Sequence, residues 1–221
     1  MRQLLKITAT FALALVFTAG MAMAQNTNSS DIDQTGYSHD ADIDQTGMMN
    51  DGTIEQSGGL AVTGAFNVGE IVQVGDENSA SVTQEGNGIN PFGSVEQYGD
   101  DNSGHVTQSI YGSDDAVATI DQGTSGSPGD DNIASIDQSY FGGNSGLVRL
   151  ARIEQYGDDN LARTTQNNEP AAFESFITQD GSLNEAFVTQ GGVSQPNATG
   201  NVSNVNQTGT GHYAEVNQNS P

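Results

Sequence analysis

The stretch Gln97-Tyr98-Gly99-Asp100-Asp101-Asn102-Ser103-Gly104-His105-Val106-Thr107-Gln108 sets the pattern for the whole chain. From Asn102 onward it alternates with period two, the alternation of a β-strand, so Asn102, Gly104, Val106 and Gln108 share one face. Ser103, His105 and Thr107 point the other way and are polar, as a solvated outer face requires. The preceding Gln97-Tyr98-Gly99 reads as the end of one strand entering a turn. Glycine reaches positive φ there without a Cβ clash.

Working outward, the same template recurs fifteen times, aligned on Gln34, Gln45, Gln56, Gln73, Gln84, Gln97, Gln108, Gln122, Gln138, Gln155, Gln166, Gln179, Gln190, Gln207 and Gln218. Two residues before each glutamine stands Ile or Val, with Thr164 the exception, and four residues before stands Ala, Gly or Ser in every arm. Six residues before stands Asn in nine arms, among them Asn78, Asn102, Asn132, Asn160 and Asn184, and His in two, His39 and His212. Ten glutamines have glycine two residues later, including Gly47, Gly75, Gly99, Gly157, Gly181 and Gly209. Pairs such as Gln73 and Gln84, Gln97 and Gln108, or Gln155 and Gln166 are eleven residues apart, and the connections between pairs are longer. A short arc thus alternates with a looser one. The pair Gln122 and Gln138 carries extra residues around Gly123 to Pro128.

Repeats of this length imply stacked coils. The predicted fold is all-β: a β-solenoid of strand-arc-strand repeats, about seven coils plus an extra N-terminal arm, with amyloid-like cross-β stacking. Equivalent residues would lie about 4.8 Å apart, so repeated Gln and Asn form amide ladders. Terminal strands of an uncapped solenoid present unpaired N–H and C=O groups, a template for another copy of the chain.

Composition narrows the function. Residues 1–24 read as a signal peptide: Arg2 and Lys6, an apolar run from Ile7 to Thr18, then Ala22-Met23-Ala24. Residues 25–44 form an N-terminal segment with one extra arm, and residues 45–221 the repeat region. Beyond the leader only Arg149, Arg152 and Arg163 oppose 28 acidic residues, which excludes nucleic acid as a partner. The chain has no cysteine, so disulfides and thiol chemistry are absent.

The units Gln97 to Gln108, Gln155 to Gln166 and Gln179 to Gln190 resemble curlin repeats, whose pattern is Gln-x-Gly-x-x-Asn-x-Ala-x-x-x-Gln. The resemblance covers nearly all of the chain after the leader. It implies a subunit of curli, the extracellular amyloid fibres of bacterial biofilms. A minor-subunit nucleator and an outer-membrane secretion channel with accessory proteins are the partners it implies, beside self-association. The final repeat keeps its Gly and Gln positions and lacks basic substitutions, which favours the major-subunit type. The coils here, at 24 to 33 residues, are longer and less uniform than the family's usual repeat.

Two further features have competing readings. Asp76-Glu77, Asp100-Asp101, Asp130-Asp131 and Asp158-Asp159 fall in the short arcs of successive coils, where stacking would make a column of like charge. Asp100, Asp101, Asp130, Asp131, Asp158 and Asp159 are the weak candidates for a calcium edge, against a reading as solvated gatekeepers that restrain aggregation. No cofactor is expected. Tyr98 and Tyr156 occupy equivalent positions, for which an exposed aromatic column competes with ordinary surface packing, the favoured reading. An enzyme needs a nucleophile, a base and a stabiliser converging in a pocket, and a two-strand solenoid is too thin for one. The alternative to a fibre subunit is a monomeric secreted solenoid that binds a surface, calcium or ice; the recurring Thr83, Thr107, Thr165 and Thr189 bear on the ice reading.

Overall fold

The computed structural model describes residues 27–36, 39–58, 67–86, 90–111, 116–141, 149–167, 172–192 and 201–220. The leader expected over residues 1–24 lies outside them. Among the described residues fifteen strands form two parallel sheets. The odd-numbered sheet holds β1 (Ser29–Gly36), β3 (Asp51–Gly58), β5 (Ser79–Gly86), β7 (Ser103–Tyr111), β9 (Ile133–Phe141), β11 (Leu161–Asn167), β13 (Glu185–Gly192) and β15 (Tyr213–Ser220). The even-numbered sheet holds β2 (His39–Thr46), β4 (Asn67–Val74), β6 (Val95–Tyr98), β8 (Ala116–Gln122), β10 (Arg149–Tyr156), β12 (Phe173–Ser182) and β14 (Asn201–Thr210). Successive strands alternate between the sheets, so each coil adds one strand to each. This is the solenoid the repeat predicts, and every arm of the template is one strand.

Register follows the glutamines. Gln56 pairs with Gln84 and Gln84 with Gln108 in one sheet; Gln73 pairs with Gln97 and Gln155 with Gln179 in the other. Sliding any strand by one residue would turn its inner face outward, which fixes the pairing.

The core is one side chain thick, and its fit explains the small residue of the template. Ile54, Ile71, Val82, Val106, Ile120, Ile136 and Ile153 are fully buried. Each branched residue meets the small residue of the opposite sheet. A Cβ added at Gly104 would lie 2.7 Å from Val95 Cγ1, and one at Gly69 would lie 2.9 Å from Ile54 Cγ2. Large and small side chains interdigitate, and two large ones would not fit between sheets this close.

The one departure from Ile or Val is matched across the core. Thr164 of β11 is fully buried, and its Oγ1 lies 3.1 Å from Oγ of Ser175, the small residue of β12. The hydroxyl pair satisfies itself. Ser175→Ala alone should cost about 1–3 kcal/mol, because it strands the Thr164 hydroxyl. Adding Thr164→Val should recover most of that loss. Chemical denaturation of both variants checks this; equal stability of the single and double variants would refute the pairing.

Candidate assembly interface: amide ladders, arcs and open ends

The glutamines form two continuous side-chain ladders. In the odd-numbered sheet Gln34 Nε2 donates to Gln56 Oε1 (2.8 Å), and the chain of bonds continues through Gln84, Gln108, Gln138, Gln166 and Gln190 to Gln218 at 2.8–2.9 Å. In the even-numbered sheet it runs from Gln45 through Gln73, Gln97, Gln122, Gln155 and Gln179 to Gln207 at 2.7–3.0 Å. Every amide donates towards the C-terminal end and accepts from the N-terminal side. Both ladders therefore have the same polarity.

A second set of bonds ties the sheets together. Among the described residues thirteen glutamines also donate across the core, to the carbonyl five residues before the glutamine of the preceding strand. Examples are Gln45 to Ser29 (2.9 Å), Gln73 to Asp51 (3.1 Å), Gln97 to Ser79 (3.1 Å) and Gln218 to Val202 (2.9 Å). A buried primary amide thus uses both hydrogens and its oxygen, as a dry core demands.

The asparagines do a different job, confined to the odd-numbered sheet. Asn50, Asn78, Asn102, Asn132, Asn160 and Asn184 are at most 1% exposed. Each Nδ2 donates to the arc carbonyl of the next coil, as in Asn78 to Gly99 (2.7 Å), Asn102 to Gly129 (2.7 Å), Asn132 to Gly157 (2.7 Å) and Asn160 to Gly181 (2.8 Å). Each Oδ1 accepts the backbone N–H of the next asparagine, and the last, Asn184, accepts that of His212 at 3.0 Å. In the even-numbered sheet the equivalent position is held by His39, Asn67, Pro91, Ala116, Arg149, Phe173 and Asn201. The asparagine ladder depends on the short arc that precedes odd strands only. Arg149, 1% exposed, stacks between Ala116 and Phe173. The repeat pattern gave no hint that a cation would be buried there.

Arc glycines stack in a column with no room for a side chain. A Cβ at Gly47 would lie 1.8 Å from Gly75 O, one at Gly75 2.0 Å from Gly99 O, and one at Gly181 1.9 Å from Gly209 O. At the Gln122 arc the extra residues form a small loop, closed by Thr124 N–Ser127 O (2.9 Å) and Ser127 N–Thr124 O (3.1 Å). Gly129 then resumes the column by donating to Tyr98 O at 3.0 Å.

The acidic arcs are more ordered than a column of repelling charge. The first acid of each pair accepts a backbone N–H from the coil before it: Met48 N to Asp76 Oδ1 (2.8 Å), Asp76 N to Asp100 Oδ1 (2.8 Å), Asp100 N to Asp130 Oδ1 (2.8 Å) and Asp130 N to Asp158 Oδ1 (3.2 Å). The second residue turns the chain in the left-handed region, with Glu77, Asp101, Asp131 and Asp159 at φ of 58°, 56°, 55° and 56°. Asp100 and Asp101, Asp130 and Asp131, and Asp158 and Asp159 therefore serve different purposes within each pair. Among the described residues no group of three or more His, Cys, Asp or Glu side chains is arranged to hold a metal ion.

Charge still accumulates along this edge. The Asp131 carboxyl is pushed above the usual range by desolvation and by Asp101, Asp159, Asp130 and Asp158. Glu96, on the even-numbered sheet, is raised by burial, then by Asp121 and Glu70, with Arg152 opposing. A carboxylate whose value is raised by folding disfavours the folded state above that value, and the penalty fades as pH falls towards the unfolded value. Both shifts have the same sign. Folding and assembly should therefore strengthen as pH drops from neutral towards about 4. Asp131→Asn, which keeps a residue tolerant of the left-handed region, should shorten the assembly lag at neutral pH and flatten its pH dependence. A lag independent of pH between 7 and 4 would refute this.

Tyr98 and Tyr156 do not stack in an aromatic column. Tyr98 pairs with Val74 on one side, and Gly123 follows Gln122 where a tyrosine would have to stand between Tyr98 and Tyr156. The outward threonines Thr83, Thr107, Thr165 and Thr189 do align on one sheet, but Asp137 interrupts them, and His105, Ser135, Arg163 and Phe187 occupy the neighbouring row. His39 and His212 lie at opposite ends of the rod in different sheets. Each closes its own arc, with Nε2 3.3 Å from Thr35 O and 3.0 Å from Thr208 O respectively.

Known families bear on this arrangement at one place. The curlin associated repeat matches residues 26–58, which contain the first three strands. No curated protein and no solved structure matches the chain. The first three strands thus carry the curlin associated repeat, and the other twelve described strands continue them in the same register.

Proposed function

We propose that this protein is a structural subunit of an extracellular, curli-type functional amyloid, polymerising end to end into fibres on the bacterial cell surface. The observation that carries the reading is the pair of polar glutamine ladders, which end at Gln34 and Gln45 as acceptors and at Gln207 and Gln218 as donors among the described strands. One end of the rod supplies what the other lacks, and both ends add parallel strands in register. A closed globular domain would not leave complementary hydrogen-bonding rows at opposite poles.

The thin, side-chain-filled interior supports a scaffold role over catalysis. The interrupted threonine row weighs against the surface-binding alternative, since ice recognition needs a flat, regular array. Export through a dedicated channel and nucleation by a minor subunit belong to the same proposal, as does a role in biofilm matrix and adhesion.

The test is to purify residues 25–221 in denaturant, remove it, and follow assembly by electron microscopy and fibre diffraction. Fibres giving reflections at about 4.8 Å along the axis and about 10 Å across it are expected. A chain that stays monomeric for days, with or without seeds, overturns the reading.

A further inference from the structure

The described strands number fifteen, eight in one sheet and seven in the other, so the odd-numbered sheet overhangs at both poles. β1 extends past β2, and all eight of its residues are exposed, Ile32 included at 44%. β15 extends past β14 in the same way. If a second copy simply continued the rod without rotation, its β1 would pair with β15. The opposite sheet would then contain a gap one strand wide, between β14 and the β2 of the next copy.

Resting on the fibre reading above, we propose that successive copies are related by a half-turn about the rod axis. β1 of each copy then adds to β14 of the copy before it, and β2 adds to β15. The sheets change places at each junction and no strand position is left empty. The repeat along the fibre becomes seven and a half strand spacings, roughly 36 Å, in place of eight.

The hydrogen-bond pattern favours this arrangement at three points. Both ladders run with the same polarity, so Gln207 Nε2 can donate to Gln34 Oε1 of the next copy and Gln218 Nε2 to its Gln45 Oε1. Unrotated stacking would join only Gln218 to Gln34. Secondly, glutamines reach back to the carbonyl five residues before the preceding strand's glutamine, as Gln45 does to Ser29. After a half-turn the strand preceding β1 is β15 of the earlier copy, and the carbonyl in that position belongs to Tyr213. Without the half-turn that position is the gap. Thirdly, Gly36, at φ 136°, lands on Gly209, at φ 117°. A Cβ built on Gly209 meets nothing within 4 Å except the His212 ring, whereas every other glycine of that arc column is crowded by the backbone of the next coil.

Sequence spacing agrees. Gln34 and Gln45 are eleven residues apart, the short spacing that otherwise occurs only from an even strand to an odd one. A half-turn places this connection on the edge of the rod where the short arcs of the previous copy lie. The outer faces are compatible as well. Asp31 and Asp33 come to face Asn204 and Asn206 of β14, a strand with no acidic residue, and the single like-charge pair at the joint is Asp42 with Glu215.

The chain has no cysteine, so engineered disulfides report the packing directly. Outward positions in register on neighbouring strands lie about 4.8 Å apart, within disulfide range. Asp33→Cys combined with Asn206→Cys should link copies related by a half-turn; Asp33→Cys combined with Asn217→Cys should link unrotated copies. Assembled fibres of each double variant are oxidised mildly and run on a denaturing gel. A ladder of covalent multimers from the first variant and monomer from the second is expected. The reverse result, or monomer from both although fibres have formed, overturns the half-turn. Equimolar mixtures of the single-cysteine chains, read as disulfide dimers, give a second measurement that tolerates poor assembly of a double variant. Failure of the unsubstituted chain to form fibres would instead remove the fibre reading itself.

Discussion

Gly99→Ala should abolish or severely slow fibre formation, whereas Gly126→Ala should leave it unchanged. Gly99 has φ 117°, and a Cβ there would lie 2.2 Å from Gly129 O and 2.8 Å from Asp130 Oδ1. The carbonyl cannot retreat cheaply, because it accepts the Asn102 Nδ2 bond at 2.7 Å. The backbone penalty is about 1–3 kcal/mol, and pushing apart a close-packed neighbour adds about 1–3 kcal/mol. Together these cost one to several powers of ten in the folding equilibrium. Gly126, in the small loop after Gln122, has open space around its would-be Cβ, and a substitution there should stay within about 0.5 kcal/mol. Lag time and the denaturant midpoint for fibre dissolution give the comparison. Equal behaviour of the two variants would mean that the arcs do not stack as described.

The strand pattern was legible because it has period two and repeats: a small residue, a branched residue and a glutamine at fixed offsets leave one consistent inner face. Lateral relations were less legible. That the branched residue of one sheet meets the small residue of the other, and that Thr164 is matched by Ser175, depends on which strands face each other across the core. The arcs were read only in part. Glycine announced the turn, but the left-handed residue that completes it is an aspartate, a type tolerant of positive φ, only at Asp101, Asp131 and Asp159; at Met49, Glu77 and Leu183 the residue type gave no such signal. The same composition made the acids look purely repulsive. In place, one acid of each pair is an acceptor for the coil before it. The candidate calcium residues were thus found as a column, and geometry divided them between a hydrogen-bonding row and a turning row. The asparagine count concealed a similar division, since the ladder forms on one sheet only.

Gln97→Glu should make assembly conditional on acid. The substitution keeps size and shape, so packing is held nearly constant and only the hydrogen-bond chemistry changes. Gln97 is fully buried; its Nε2 donates to Gln122 Oε1 at 2.8 Å and Ser79 O at 3.1 Å, and its Oε1 accepts from Gln73 Nε2 at 3.0 Å. A carboxylate can accept from Gln73, but it has nothing to donate to the two oxygens that wait for Nε2. The charged form is disfavoured by burial and by those oxygens, so the glutamic acid is raised above its ordinary value and enters the fold protonated. Taking up that proton at pH 7 costs roughly 4 kcal/mol, the distance from about 4.3 to 7 at 1.36 kcal/mol per unit. This penalty is fully present at neutral pH and disappears as pH falls below the unfolded value. One donor is still missing after protonation, which leaves a residual loss of about 1–3 kcal/mol. The expected result is no fibres at pH 7, partial recovery near pH 4, and no such rescue for Glu55→Gln on the solvated face of β3. Neutral-pH assembly of Gln97→Glu at the unsubstituted rate would show that this amide is not a buried rung, and a rod built on continuous ladders would not survive that outcome.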